Sequence, residues 1–131
     1  MKRVVIFTDG VAVPNPGLAA IGATIKDEQG RLITAISQAI GRATNNQAEY
    51  RAIVAALEQT IRLGASQVDM YSDSELVVRQ INGRYRVKNA SLKPLYQKVK
   101  QLQNQLNGFT ITHIPRQQNI EADRLAGNAL K

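Results

Sequence analysis

The chain opens on a run of large apolar residues, Val4-Val5-Ile6-Phe7, that passes into Thr8-Asp9-Gly10. A run that is apolar on both parities predicts a strand buried on both faces, in the middle of a sheet. Asp9 then stands where that strand runs out into Gly10 and a turn-rich stretch, Val11 to Gly17, punctuated by Pro14 and Pro16. From Ala19 to Lys26, Ile21, Ala23 and Ile25 alternate with smaller residues and predict a second strand. Asp27-Glu28-Gln29-Gly30 is a hairpin-type loop and Arg31 to Ala39 a third strand, so the first three strands read as an antiparallel meander.

The pattern then becomes helical. Thr44-Asn45-Asn46-Gln47 has capping-box spacing, with Thr44 as N-cap and Gln47 reaching back. A helix is expected from about Asn46 to Leu63, terminated by Gly64 in a left-handed conformation. Its apolar stripe is Ile53, Ala56, Leu57 and Ile61, and Glu49 sits one turn earlier on the same stripe. An acid there is either paired, metal-bound or at a sheet rim, or else exposed and favoured by the helix dipole; this segment leaves both readings open.

A fourth strand around Val68 and Met70 ends in Tyr71-Ser72-Asp73, and Asp73 repeats the arrangement of Asp9, an acid at a strand's carboxyl end. Its plainer reading is a helix N-cap. Ser72 and Glu75 again have capping-box spacing, so a short helix starts at Asp73 or Ser74 and stops near Asn82-Gly83. After a basic loop, Leu92, Leu95, Tyr96, Val99, Leu102 and Leu106 give a core-facing stripe for a helix from Ser91 to Leu106. Phe109 to Ile114 is a fifth strand broken by Pro115, and Asn119 or Ile120 opens a last helix with Asp123 in its first turn. The order β-β-β-α-β-α-α-β-α implies one α/β domain spanning residues 1–131, with an antiparallel entry and parallel crossovers.

Charge sharpens this picture. The formal net charge is +7 over 131 residues, which favours a polyanionic partner, nucleic acid before membrane. The positive field is local: no acid falls between Glu75 and Glu121, where Arg79, Arg84, Arg86, Lys88, Lys93, Lys98, Lys100 and Arg116 lie. A one-signed segment of this kind suits phosphate binding. The absence of cysteine excludes disulfides and thiolate zinc sites, and a single histidine excludes a polyhistidine metal site. His113 alternates in phase with Phe109 and Ile111, as a strand-face residue does. The amino-terminal apolar run is too short for a signal peptide or a membrane span, so a cytoplasmic location is expected. Asp9, Glu49, Asp73 and Asp123 all fall at strand ends or in first helical turns. Four carboxylates and no soft ligand point to a hard divalent cation, Mg²⁺ or Mn²⁺.

Four separate blocks are similar to those of type 1 ribonucleases H. They are Thr8-Asp9-Gly10 with Asn15-Pro16-Gly17, Ala43 to Tyr50, Tyr71-Ser72-Asp73-Ser74, and Ile114-Pro115-Arg116 with Asn119 and Ala122 to Ala126. The resemblance covers essentially the whole chain and implies a five-stranded mixed sheet with strands 1–3 antiparallel and strands 4–5 parallel. It implies endonucleolytic cleavage of the RNA strand of RNA–DNA hybrids by two-metal-ion hydrolysis, leaving 5′-phosphate and 3′-hydroxyl ends. Carried over by position, Asp9, Glu49, Asp73 and Asp123 would be the metal ligands, and Glu49 would also sense a ribose 2′-hydroxyl.

Asn15, Asn45 and Asn46 would contact the hybrid through amides that donate and accept at once. Glu75 takes a position where relatives often have glutamine. Thr44 and Asn89 resemble a DNA-phosphate pocket with Arg86 or Lys88 nearby, and Tyr85 is either an aromatic contact to a DNA sugar or core packing.

Three features depart from the family pattern. Val11 and Val13-Pro14 replace smaller, glycine-containing residues. Only a short loop joins Asn82-Gly83 to Ser91, so the basic protrusion of some bacterial members is missing. The histidine-bearing loop of those members is also absent, which leaves Arg116 or Gln117 to substitute. The competing expectations are a non-catalytic nucleic-acid-binding module of the same fold and a metal nuclease acting on DNA alone. The fold has no evident need of a partner, so a monomer is expected.

Overall fold

The computed structural model describes residues 2–131. Its five strands are β1 (Arg3–Val13), β2 (Gly17–Lys26), β3 (Leu32–Ala43), β4 (Gln67–Ser72) and β5 (Gly108–His113). They form one sheet in the order β3-β2-β1-β4-β5. β1 to β3 make the antiparallel meander, and β4 and β5 run parallel to β1. The helices are α1 (Asn45–Arg62), α2 (Glu75–Ile81), α3 (Lys93–Gln103) and α4 (Ile120–Ala129), with a 3-10 turn at Arg116–Gln118 before α4. The mixed sheet and the element order are those the sequence implies.

Alternation along β1 decides which helix meets which residue. Val4 and Ile6 point to one face and join Tyr50, Ile53 and Leu57 of α1 and Val99 and Leu102 of α3 in the main core. Val5 and Phe7 point the other way and are only partly buried. The expectation of burial on both faces is therefore corrected. The second face is covered by α4 over β1, β2 and β3, while Phe7 stacks on the Tyr71 ring at 5.1 Å and lines a small cavity with Lys26 and Ile120. That face is apolar without being dry.

Several boundaries also shift. β1 does not stop at Gly10 but continues to Val13, because β2 pairs with it as far as Val13↔Leu18. The connection shrinks to Pro14–Pro16, with cis peptides before both prolines. β3 likewise extends past Ala39 to Ala43, absorbing Gly41 (φ +79°) at an irregularity in the ladder. α3 is shorter than its apolar stripe, since Leu92 precedes it and Leu106 follows it while both still pack on the core. The Thr44 capping box is present: Thr44 Oγ1 accepts from Gln47 N–H and Gln47 Oε1 accepts from Thr44 N–H. Gly64 takes the left-handed conformation (φ +84°). Among the described residues no helix is long and apolar enough to cross a membrane.

A candidate metal centre at the open end of the sheet

β1 is longer than its neighbour β4, and that mismatch creates the site. The parallel ladder between them ends at Thr8↔Ser72, whereas Asp9 still pairs with Gly22 of β2 on its other side. Asp9 thus lies inside β1, not at its end as expected, yet it is the first residue with no β4 beside it. The gap beyond β4 is where side chains from other elements can reach it.

Glu49 comes from the first turns of α1. It is 6% exposed, and its two oxygens are held by different elements. Oε1 accepts from Gly10 N–H at 3.0 Å, and Oε2 accepts from Ser72 Oγ at 3.4 Å. This resolves the open reading of Glu49 in favour of a buried, partnered acid. Asp73 occupies the one-residue joint between β4 and the cap of α2. The cap is Ser74, whose Oγ accepts from Val77 N–H, and not the expected Ser72 or Asp73. Ser72 is used otherwise, accepting from Ser74 N–H while donating to Glu49.

Carboxylate oxygens of Asp9, Glu49 and Asp73 lie within 4.8 Å of one another, a spacing that can hold a metal ion. Asp123, in α4, stands just outside this triad, with Oδ1 3.7 Å from Arg116 Nη2. All four acids line one cleft of about 410 Å³ together with Asn45, Asn46, Ser74 and Arg116.

Such crowding has an electrostatic cost. Burial first, then the charge of Glu49 and a hydrogen bond to it, push the Asp9 carboxyl up to about 10. Burial also raises Glu49, to about 7, although its hydrogen bonds to Asp9 and Gly10 pull the other way. The two lie close enough to titrate together, so the pair holds a proton well above the ordinary carboxylate range. Burial raises Asp73 as well, opposed by Asn119 and by the charge of Arg116. Asp9 Oδ2 is buried and meets no hydrogen-bond donor among the described residues.

The substrate-contact candidates divide into groups. Asn45 and Asn46 reach the cleft. Asn45 Oδ1 accepts from Ala12 N–H at 2.7 Å, and Asn15 Oδ1 accepts from Asn45 N–H at 3.0 Å. Both amide carbonyls are therefore consumed inside the protein, which corrects the expectation of amides free to donate and accept at once: their NH₂ groups are what remain. Asn89 Oδ1 is likewise taken by Ser91.

Glu75 pairs with Arg79 on the exposed side of α2. Tyr85 is 46% exposed with the Arg79 guanidinium 5.3 Å from its ring centre, which removes core packing as its role. Tyr85 and Arg86 line a separate groove beside α3, and Lys88 is exposed in the same loop. Asn15, Thr44, Glu75 and Asn89 do not line the acid cleft.

Two glycines and a serine escaped the sequence reading. A Cβ at Gly10 would lie 2.2 Å from the Ala48 carbonyl carbon, and one at Gly22 would lie 2.3 Å from Ala122 O. Gly10 lets α1 carry Glu49 onto β1, and Gly22 lets α4 carry Asp123 onto the other face. A lone glycine within a strand pattern signals such close approach. Nothing local to Ser72 marks it as a partner of Glu49.

The family model described as reverse transcriptase-like matches residues 7–129. The bifunctional protein Rv2228c of Mycobacterium tuberculosis is 43% identical over 98% of this chain, which spans 35% of that protein's length. Ribonuclease HI of Halobacterium salinarum is 38% identical over 98% of the chain, which spans 64% of it. The crystal structure of RNase H1 from that archaeon superposes with a TM-score of 0.95, covering 98% of this chain and 97% of that one. LC11-RNase H1, isolated from compost by a metagenomic approach, was solved with an RNA/DNA hybrid. It superposes with a TM-score of 0.92 at 40% identity, covering 96% of this chain and 95% of that one. The matching sheet order, the acid cluster and these likenesses over nearly the full chain agree that it belongs to the ribonuclease H family.

Proposed function

We propose that this chain is an endoribonuclease that hydrolyses the RNA strand of RNA–DNA hybrids. Three converging carboxylates in a protein of net charge +7 carry this reading. Acids beside a phosphate backbone repel it unless a cation lies between them. The donor set fits such a cation: oxygen ligands only, an oxygen of Asp9 without a partner, and mutual repulsion that a metal offsets. Asp9, Glu49, Asp73 and Asp123 would hold Mg²⁺ or Mn²⁺, two ions per site. Bound there, the metal supplies a stronger water nucleophile and stabilises the departing 3′ oxygen.

The chain's own residues do the rest. Gly10 N–H and Ser72 Oγ fix the Glu49 carboxylate while leaving lone pairs for a ribose 2′-hydroxyl. The NH₂ groups of Asn45 and Asn15 are donors suited to the purine N3 and pyrimidine O2 acceptors of base edges in a minor groove. Asn46, beside Asn45 in the cleft, adds a second amide there. Arg116, with a side chain 78% exposed at the mouth of the cleft, is placed to meet the scissile phosphate. Thr44, Asn89, Arg86 and Lys88 would hold the DNA strand, with Tyr85 against a sugar and Glu75 at the groove edge. Water adds across the P–O3′ bond, so the ends are a 5′-phosphate and a 3′-hydroxyl. Residues 1–131 would act as one monomeric domain, in the cytoplasm.

The test is a panel of labelled substrates with and without Mg²⁺ or Mn²⁺: RNA–DNA hybrid, single-stranded RNA, duplex RNA and duplex DNA. Metal-dependent cutting of the hybrid's RNA strand is expected. Tight hybrid binding without cutting under either metal would instead indicate a binding module, and cleavage of duplex DNA a different nuclease.

A further inference from the structure

The β1–β4 ladder stops at Thr8↔Ser72, so on the side away from β2 no strand continues beside the Thr8–Asp9 peptide. Asn119 supplies the missing neighbour. Its Nδ2 donates to the Thr8 carbonyl at 2.8 Å, across 111 positions of sequence, from a side chain only 1% exposed. Its main-chain carbonyl accepts from Asp123 N–H at 3.1 Å. One residue therefore bonds by its side chain to the peptide that carries Asp9 and by its main chain to the helical turn that carries Asp123.

Its Oδ1 is buried and has no partner among the described residues. A buried acceptor left unsatisfied is a standing cost that an apolar filler would avoid. Asn119 also heads α4 without forming a side-chain cap hydrogen bond, so its amide is not spent on holding its own helix. What that amide does do is tie the head of α4, the helix that carries Asp123, to the strand that carries Asp9.

We infer that Asn119 is a positioning residue that sets the placement of Asp9 relative to Asp123, and so the affinity of the cluster for a divalent cation. This rests on the functional reading above, in which those acids hold metal. Groups that orient metal ligands commonly change affinity or activity by about 10- to 100-fold when removed.

The test compares wild type with Asn119→Ala by calorimetric titration of Mn²⁺ into metal-free protein and by steady-state cleavage of a hybrid. The expected result is at least a roughly tenfold loss of Mn²⁺ affinity and of kcat, with KM for the hybrid within about threefold. A purely structural role would lower the melting temperature and leave Mn²⁺ affinity of the folded protein unchanged, which would overturn the inference. If the variant does not fold, NMR of the wild type decides. The Asn119 side-chain amide signals should shift on Mg²⁺ addition with the same midpoint as the Asp9 and Asp73 backbone signals, and unmoved Asn119 signals overturn the inference. The two readings separate cleanly. A wild type that binds Mn²⁺ but cuts no hybrid sinks the activity while the binding data still judge Asn119; one that binds no Mn²⁺ sinks both.

Discussion

The Gly10 N–H donates to Glu49 Oε1 at 3.0 Å, and the two meet only because Gly10 has no side chain, since a Cβ there would lie 2.2 Å from the Ala48 carbonyl carbon. The clash is with backbone, which has no rotamer to retreat into. Gly10→Ala must push α1 off β1 and take Glu49 with it. Overpacking of this kind costs about 3 kcal/mol, and the same displacement should abolish activity. Urea denaturation checks the first and hybrid cleavage the second. A variant of unchanged stability would show that the contact is less tight than described.

The acid cluster makes the metal-free protein sensitive to pH, with a definite sign. Asp9 and Glu49 are raised in the folded state, to about 10 and about 7, from ordinary values of 3.8 and 4.5. Between about pH 4 and pH 10 the folded state therefore holds protons that the unfolded chain releases, and stability falls as pH rises. In chelator, the melting temperature should drop by several degrees per pH unit between pH 6 and 8, with roughly 5 °C per unit as the ceiling for one proton. Asp9→Asn should raise the metal-free melting temperature at pH 8 and flatten the slope, as should saturating Mg²⁺ for the wild type. A melting temperature that climbs with pH in chelator would contradict the account.

Asn45 allows structure and recognition to be separated. Its Oδ1 serves Ala12 N–H, and its NH₂ group is left facing the cleft. Asn45→Asp keeps the acceptor for Ala12 and replaces the donor by a charge that repels phosphate, so stability should change by less than about 1 kcal/mol while hybrid affinity falls about tenfold. Asn45→Ala loses both, and should cost about 1–2 kcal/mol of stability in addition. Equal hybrid affinity for wild type and Asn45→Asp would remove the amide from the recognition surface.

The basic loop between α2 and α3 should declare itself through salt. Arg84, Arg86 and Lys88 are exposed there. Each phosphate contact contributes about 0.9 to the slope of log affinity against log salt. Replacing all three by Gln should reduce that slope by about 2 or more while kcat at saturating hybrid holds. An unchanged slope would place the duplex elsewhere on the surface.

What the sequence made legible was whatever is local. The Thr44–Gln47 capping box and the glycine terminators each rest on residues a few positions apart, and each appears in the fold; β2 forms where expected, but Ala19 to Ile25 are buried on both faces instead of alternating. The four acids could be named from their places at expected strand ends and helix starts together with the resemblance of the blocks around them, although Asp9 proves to lie inside β1. Their geometry could not, because it depends on how long neighbouring strands are relative to one another. Asp9 is exposed to the cleft by the early end of β4, a fact invisible from β1 alone. The dual engagement of Ser72, and the pairing of Gly22 with Asp9 under α4, likewise arise from contacts across dozens of residues. The amide carbonyls of Asn15 and Asn45 were misjudged for the same reason: their partners lie 30 or more positions away.

The most direct measurement is cleavage of an end-labelled RNA–DNA hybrid in Mg²⁺ by wild type and by Asp73→Asn, at protein concentrations giving equal hybrid binding. The account predicts metal-dependent cutting of the RNA strand by the wild type. It also predicts a loss of at least about a thousandfold in the variant, since the substitution removes a cluster oxygen ligand and leaves the binding surface in place. Equal cutting by the two proteins, or none by either while both bind the hybrid, would contradict it.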